Sequence, residues 1–175
     1  EKLVSPYKSI TAHVLSQRAL SVDISELVLQ PTQPLEVRAG QYVRFCLDNG
    51  DSRCFSIANL PAQEQGQLVF HIRKVSGGLF TEGLLPTLQA GATVKLEGPL
   101  GACTWQHDDQ RPLILFATGT GYAGIKPLLL KALAGDTDVT LYWGGSSPAD
   151  FYDREFLDVS SRVHPHFRWQ PVLSA

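Results

Sequence analysis

Between Tyr7 and Glu97 apolar residues come in short runs, alternating with polar ones or staying apolar over a strand's length. Ile10–Leu15, Glu26–Leu29, Gln41–Leu47, Gln67–Lys74 and Thr93–Glu97 read as strands. Arg53–Asn59, leaving the turn Asp48-Asn49-Gly50-Asp51, reads as another. Pro31, Pro34, Gly40, Asn49-Gly50, Gly66 and Gly91 punctuate them. One stretch, Leu79–Leu88, predicts a helix, with Leu79, Leu84, Leu85 and Leu88 on overlapping faces and Thr81-Glu82 near its start. Six or so antiparallel strands with one helix predict a small closed barrel.

Past Arg111-Pro112 the rhythm changes. "LILFA" is a continuous apolar run, followed by "TGTGYAG", the helical "IKPLLLKAL", a strand "DVTLYWGG", a helical stretch around Asp150–Ser160 and then "FRWQPVL". Strand, helix, strand, helix, strand predicts a parallel sheet with crossover helices. The expected division is a barrel domain over residues 1–108 and a parallel α/β domain over 109–175.

Composition narrows the function classes. Fifteen basic against seventeen acidic residues leave a net charge of -2. That gives no electrostatic footprint for nucleic acid or an anionic membrane. No apolar run reaches the length of a membrane span, and no leader pattern opens the chain. Cys46, Cys54 and Cys103 are odd in number and never spaced C-x-x-C. They fit neither a disulfide framework nor a metal site, which points to a reducing, cytoplasmic compartment. The chain has no Met, so translation is expected to start upstream of Glu1.

Three stretches carry candidate chemistry. "RCFSIAN" (53–59) places a guanidinium, an aromatic ring and a hydroxyl within four positions, which suits a ligand anionic at one end and flat at the other. Gly77-Gly78 ahead of the barrel helix, with Thr81 in its first turn, is an anion-binding geometry of backbone amides and a hydroxyl. It is equally a plain capped helix. Gly119, Gly121 and Gly124 lie at a strand-to-helix junction, where amides and the helix dipole can meet a pyrophosphate. The same glycines can simply connect two elements. No acidic residue ends the next strand at Gly144-Gly145, so any nucleotide binds by a variant of the usual dinucleotide geometry.

"RCFSIAN" resembles the R-x-[YF]-S-x-x-[ST] motif of the ferredoxin–NADP reductase superfamily. "RAGQY", "HIRKVSGGLF", "EGPLG", "GTGYAGIK" and "LYWGG…PADFY" follow that family's pattern, from about Ser9 to the last residue. The similarity is closest to the reductase modules fused to plant-type ferredoxin domains, such as CDP-6-deoxy-glucoseen reductase-like proteins and oxygenase reductases.

The resemblance implies a flavoprotein reductase, with residues 109–175 a partial nucleotide-binding domain. Hydride would pass from NADH or NADPH to FAD, taken in preference to FMN, and electrons would pass on to a [2Fe-2S] ferredoxin domain or protein. Arg53 would hold the flavin pyrophosphate, with Cys54 beside it, Phe55 against the isoalloxazine and Ser56 near N5 as a catalytic group. His71, Ile72 and Arg73 would line the flavin. Gly77, Gly78, Leu79 and Thr81 would take its phosphate. Gly119, Thr120 and Gly121 would meet the nicotinamide nucleotide, with Thr120 positioning the ring. Read from the residues alone, His71 is first a satisfied barrel histidine, since no metal partner is near.

The chain departs from the pattern at Asn59 (usually Ser or Thr), at Thr118 (often Gly), at Gly124 (often Pro) and at Ser146 (often Arg). With no Lys or Arg between Gly144 and Asp150, and Arg154 just beyond, NADH is expected over NADPH. The family continues past "PVLSA" with further β–α units, so the chain by itself is expected to hold flavin, turn over slowly and leave "LILFA" as an apolar edge. Two alternatives stand beside this reading. One is a reductase that uses free flavin as a substrate. The other is a flavin-binding electron-relay subunit that uses no pyridine nucleotide.

Overall fold

The computed structural model describes residues 9–106 and 111–174. The expected domain boundary at 108–109 lies outside the described residues.

Six antiparallel strands, β1 (Ser9–Ala19), β2 (Ile24–Pro31), β3 (Tyr42–Cys46), β4 (Ser52–Ser56), β5 (Leu68–Arg73) and β6 (Thr93–Leu100), pair in the order β4-β3-β6-β1-β2-β5. β1 runs four residues past its predicted end. Its register with β2 shifts between Val14 and Ser16, which makes Leu15 the extra residue of a bulge. A bulge breaks the alternation that a sequence pattern depends on.

The residues after β4 bring its end of the sheet to β5. The Ala58 amide donates to the Val69 carbonyl at 2.7 Å. Asn59 is buried and completes the seam: its Oδ1 accepts from the Val69 amide at 3.1 Å, and its Nδ2 donates to the Gln67 carbonyl at 2.9 Å and Glu64 Oε2 at 2.6 Å. Inside, Phe45 meets Phe55, Phe70 and Phe80 edge-on at centroid distances of 5.4, 5.1 and 5.3 Å. Such ring pairs contribute about 0.5–1.5 kcal/mol each beyond the burial of their area.

The predicted barrel helix is not one regular α-helix. Leu79–Leu84 form a wide π-type turn, and Leu85–Thr87 a tight 3₁₀ turn. The Leu85 amide donates five residues back to the Phe80 carbonyl, which sets these two buried side chains on one face, and Pro86 has no amide to continue a ladder. Phe80, Leu85 and Leu88 face the core, while Leu79 is exposed.

In the second half, β7 (Leu113–Thr118), β8 (Val139–Gly145) and β9 (Phe167–Leu173) form a parallel sheet in the order β7-β8-β9. Helices α1 (Tyr122–Leu133) and α2 (Arg154–Val163) connect them. Both helices join one cluster with Leu115, Ala117, Val139, Leu141, Trp143 and Phe167, and so cover one face of the sheet. The opposite face carries Ile114 and Phe116, 56% and 69% exposed, with Phe116 stacked on Tyr142. β7 and β9 flank β8 in this three-stranded sheet. Among the described residues no helix is long and apolar enough to cross a membrane, and no cluster of three or more His, Cys, Asp or Glu is placed to hold a metal.

Candidate functional site

The candidate site residues fall into two groups that meet where β4 touches α1. β4 pairs on one side with β3 alone. Arg53 on it is exposed, with Nη1 donating only to the Ser52 carbonyl at 2.7 Å. A guanidinium has five N–H donors, so it reaches into solvent with most of them uncommitted to the chain. Cys54 is exposed opposite Arg44. Phe55 is half-buried, its ring tilted against Phe80 at 4.7 Å and standing edge-on to Phe45. Ser56 is half-buried against the first turn of α1: a Cβ built on Gly124 would lie 2.9 Å from Ser56 Oγ. The glycine that departs from the family pattern is therefore the residue that lets α1 close onto the β4 serine.

The Gly77-Gly78 loop turns back on itself ahead of the π-type turn. The Gly77 amide donates to Glu82 Oε1 at 2.8 Å. The Thr81 hydroxyl donates to the Val75 carbonyl at 2.8 Å and accepts from the Val75 amide at 3.1 Å. A Cβ on Gly78 would collide with Thr81 Oγ1 at 2.6 Å, so the loop closes only with glycine there. The Glu82 carboxylate stands in for an anion at Gly77, which demonstrates an amide aimed at negative charge. Thr81 in this arrangement shapes the loop, and its hydroxyl is already committed to Val75. An exposed arginine on β4 and a glycine loop offering an amide to an anion suit a diphosphate, and the half-buried Phe55 lies on the same strand as that arginine.

β5 sends its three candidates in three directions. Ile72 is fully buried in the barrel core, so only its main chain can face a ligand. His71 is buried in the seam between the two halves, with Nδ1 3.0 Å from the Tyr152 hydroxyl and its ring edge-on to Tyr152. Burial first, and the Lys126 ammonium second, push its pKa down to about 4, so the ring is neutral. It is a satisfied histidine, and its partner comes from the other half of the chain. Arg73 leaves the barrel to bridge Asp23 and, at 2.7 Å, Asp150.

Arg73 and Asp150 line a cleft of about 530 Å³ together with Thr118, Gly119, Gly144, Gly145 and Ser146. It opens at the carboxyl ends of the parallel strands, where open α/β sheets bind ligands. Gly119–Gly121 make a 3₁₀ turn into α1, and Gly119 holds φ +50°, the left-handed region that glycine enters readily. The Gly119 carbonyl accepts from Trp143 Nε1 at 2.9 Å. Thr120 and Gly121 follow in the same turn. Asp150 receives the Ser146 and Ser147 amides on Oδ2 at 2.8 and 3.0 Å. Its carboxyl is held below the usual carboxylate range, by Arg73 first and then by these amides.

Reasoning along the chain missed Arg73 as a cation of this cleft. The stretch between Gly144 and Asp150 has no base of its own, but the barrel supplies one. It also missed Asp150, Trp143 and Tyr152. Ser147 and Asp150 form a capping box around the short turn Pro148–Asp150, a spacing that could have drawn attention to Asp150. Arg154 points elsewhere, pairing with Asp158 on α2 at 3.4 Å.

The sequence profile of the family described as the oxidoreductase FAD-binding domain matches residues 11–105. Reductase component 2 of terephthalate 1,2-dioxygenase from Comamonas sp is 37% identical over 171 residues, covering 95% of this chain and 50% of that protein. The NAD(P)H-flavin reductase of Aliivibrio fischeri is 28% identical over 170 residues, covering 94% of this chain and 72% of that protein. The crystal structure of the Amycolatopsis cytochrome P450 reductase GcoB superposes with a TM-score of 0.88 at 36% identity, covering 98% of this chain and 54% of that one. The chain spans about half the length of several curated relatives it matches. It belongs to the FAD-binding oxidoreductases of the ferredoxin reductase family, and FAD is the cofactor that this membership supports.

Proposed function

We propose that this chain is the flavin half and the opening of the nucleotide half of an NAD(P)H-dependent flavoprotein reductase, dividing near residue 108. The observation that carries this reading is the contact of Ser56 on β4 with Gly124 in the first turn of α1. It sets the β4 motif and the glycine turn side by side, so groups bound at each would meet at their edges. FAD, when bound, takes a hydride from the nicotinamide and releases single electrons to an iron–sulfur partner.

The chain supplies placement and charge. Arg53 and the Gly77-Gly78 loop hold the diphosphate, with Glu82 swinging aside. Phe55 would offer an apolar surface to the ring, and the Ser56 hydroxyl would be a donor for charge developing on it. The main chain of β5 would line the same pocket. Thr120 and its neighbouring glycines seat the nucleotide, and Arg73 adds a cation held in place by Asp150.

NADH is the better fit. Asp150 contributes negative charge at the cleft wall, and Arg73 is already shared between two carboxylates. An additional 2′-phosphate would meet no uncommitted cation among the residues lining the cleft.

Anaerobic titration of the complete polypeptide, reconstituted with FAD, tests the proposal. NADH bleaches the flavin absorbance and NADPH does so with a lower specificity constant; no bleaching by either nucleotide would refute a reductase. The second reading, reduction of free flavin, is favoured by the similarity to the NAD(P)H-flavin reductase. It predicts flavin that leaves on gel filtration and turnover that rises with added FAD or FMN. The proposed [2Fe-2S] acceptor predicts instead that turnover requires such a domain or protein.

A further inference from the structure

The glycine turn is held from outside as well as by its own backbone bonds. Trp143, on β8, is fully buried, and β8 lies beside β7 with Ala117 opposite Trp143 and Thr118 opposite Gly144. That register brings the indole under the end of β7, where Nε1 donates to the Gly119 carbonyl at 2.9 Å. The same carbonyl accepts the Tyr122 amide at the start of α1. The turn's own i+3 bond and the buried indole therefore hold this carbonyl together. In a planar trans peptide the C=O and N–H point in opposite directions, so fixing the Gly119 oxygen on the indole turns the Thr120 amide away from it.

With Gly119 in the left-handed region, this peptide has little steric resistance to flipping. A flipped peptide would put a carbonyl oxygen where the amide now lies. The indole itself has no freedom to follow. It stacks on Tyr122 at 4.1 Å with an interplanar angle of 15°, and meets the edges of Phe151 and Tyr152 at 5.5 and 5.2 Å. Tyr152 is the residue hydrogen-bonded to His71 of the barrel.

We propose that Trp143 is a positioning residue for the dinucleotide. Its indole N–H holds the Gly119–Thr120 peptide, whose Gly119 lines the cleft, with the Thr120 amide turned away from the indole and available to a phosphate oxygen. This rests on the cleft being the nucleotide site. Trp143 touches neither nucleotide nor flavin; it acts through Gly119. Its loss weakens nucleotide binding and leaves the flavin and the limiting rate of its reduction unchanged.

The test uses the complete polypeptide with FAD bound and two replacements of Trp143. Trp143→Phe removes the donor and part of the ring. Substitution by 3-benzothienylalanine puts sulfur in place of N–H in a ring of nearly the same shape, which keeps the packing if the phenylalanine variant fails to fold. Stopped-flow reduction by NADH separates half-saturating concentration from limiting rate. In the benzothienyl variant half-saturation rises about three- to tenfold, the value of one lost hydrogen bond, with the limiting rate and FAD content unchanged. Wild-type half-saturation in that variant would overturn the proposal, as would a fall in limiting rate alone. A wild-type protein that shows no saturable response to either nucleotide would overturn the reading of the cleft, and the role of Trp143 with it.

Discussion

Replacing Arg73 by Met removes a guanidinium that ties a barrel strand to the nucleotide half, and the structure sets the size of the loss. The Asp150 side chain is 14% exposed, and Arg73 occupies only its Oδ1. Oδ2 keeps the Ser146 and Ser147 amides, so the carboxylate is weakened but not orphaned. One charge-assisted hydrogen bond of this kind is worth about 1.5–3 kcal/mol. The second partner, Asp23, is 40% exposed. A pair that open contributes ~0–1 kcal/mol. The sum is roughly 1.5–4 kcal/mol, and in a chain of this size each kcal/mol moves the melting temperature by about 2–4 °C. Arg73→Met should therefore melt roughly 3–16 °C lower at neutral pH.

Acid should erase the difference. Asp150 has a depressed carboxyl pKa in the folded protein, so its contribution is present above the ordinary carboxylate pKa and is lost as pH falls through the folded value. Wild type and variant should converge as acidification passes through the depressed Asp150 pKa. Circular dichroism melts of Arg73→Met, Asp150→Asn and the double variant measure the coupling. Strict additivity of the two single effects would show that the pair does not join the halves, and would refute the reasoning.

Four further outcomes are expected. Arg53→Ala should weaken FAD binding roughly ten- to a hundredfold in a fluorescence titration, while the apoprotein melts as before because the side chain is exposed and bonds only to Ser52. Glu82→Gln, removing a carboxylate that competes for the Gly77 amide, should tighten FAD about two- to fivefold; unchanged or weaker binding means that the carboxylate is no competitor. Gly124→Ala places a Cβ 2.9 Å from Ser56 Oγ and 3.2 Å from Ser56 Cβ. Displacing that hydroxyl should slow flavin reduction by about tenfold or more at saturating NADH, and an unchanged limiting rate would remove Ser56 from the reaction. His71 has a folded pKa lowered to about 4. Its contribution is full above the unfolded value and lost as pH falls from about 6.5 towards 4, worth ~3 kcal/mol over that window. A His71→Gln variant should therefore show a flatter loss of stability than wild type in urea melts across that range.

Much of this architecture is legible along the chain because local physics writes it there. Period-two alternation and glycine or proline breaks mark the barrel strands. The continuous apolar run "LILFA" marks a strand of a parallel sheet, and "GTGYAG" a strand-to-helix turn. "RCFSIAN" exposes its chemistry because a charge, a ring and a hydroxyl so close together have few other uses. Element ends were harder to read. The bulge at Leu15 hides the second half of β1, and leucines at 79, 84, 85 and 88 are compatible with either an α-helix or the π-type turn that forms. Both outcomes depend on which side chains the rest of the core accepts, and the local pattern does not contain that information.

The decisive partnerships are long-range. Arg73 meets Asp150 across 77 positions, His71 meets Tyr152 across 81, and the Trp143 indole reaches Gly119 across 24. No periodicity relates such pairs. They arise because the β7–β8 register and the docking of α1 on Ser56 bring distant segments to one place. Residue types along the chain therefore determined where a charge, a ring and glycine turns lie in sequence. Only the packing of the two halves decided that an arginine from the barrel lines the cleft at the ends of the parallel strands, that His71 is buried in the seam against Tyr152, and that a buried indole bonds the glycine turn.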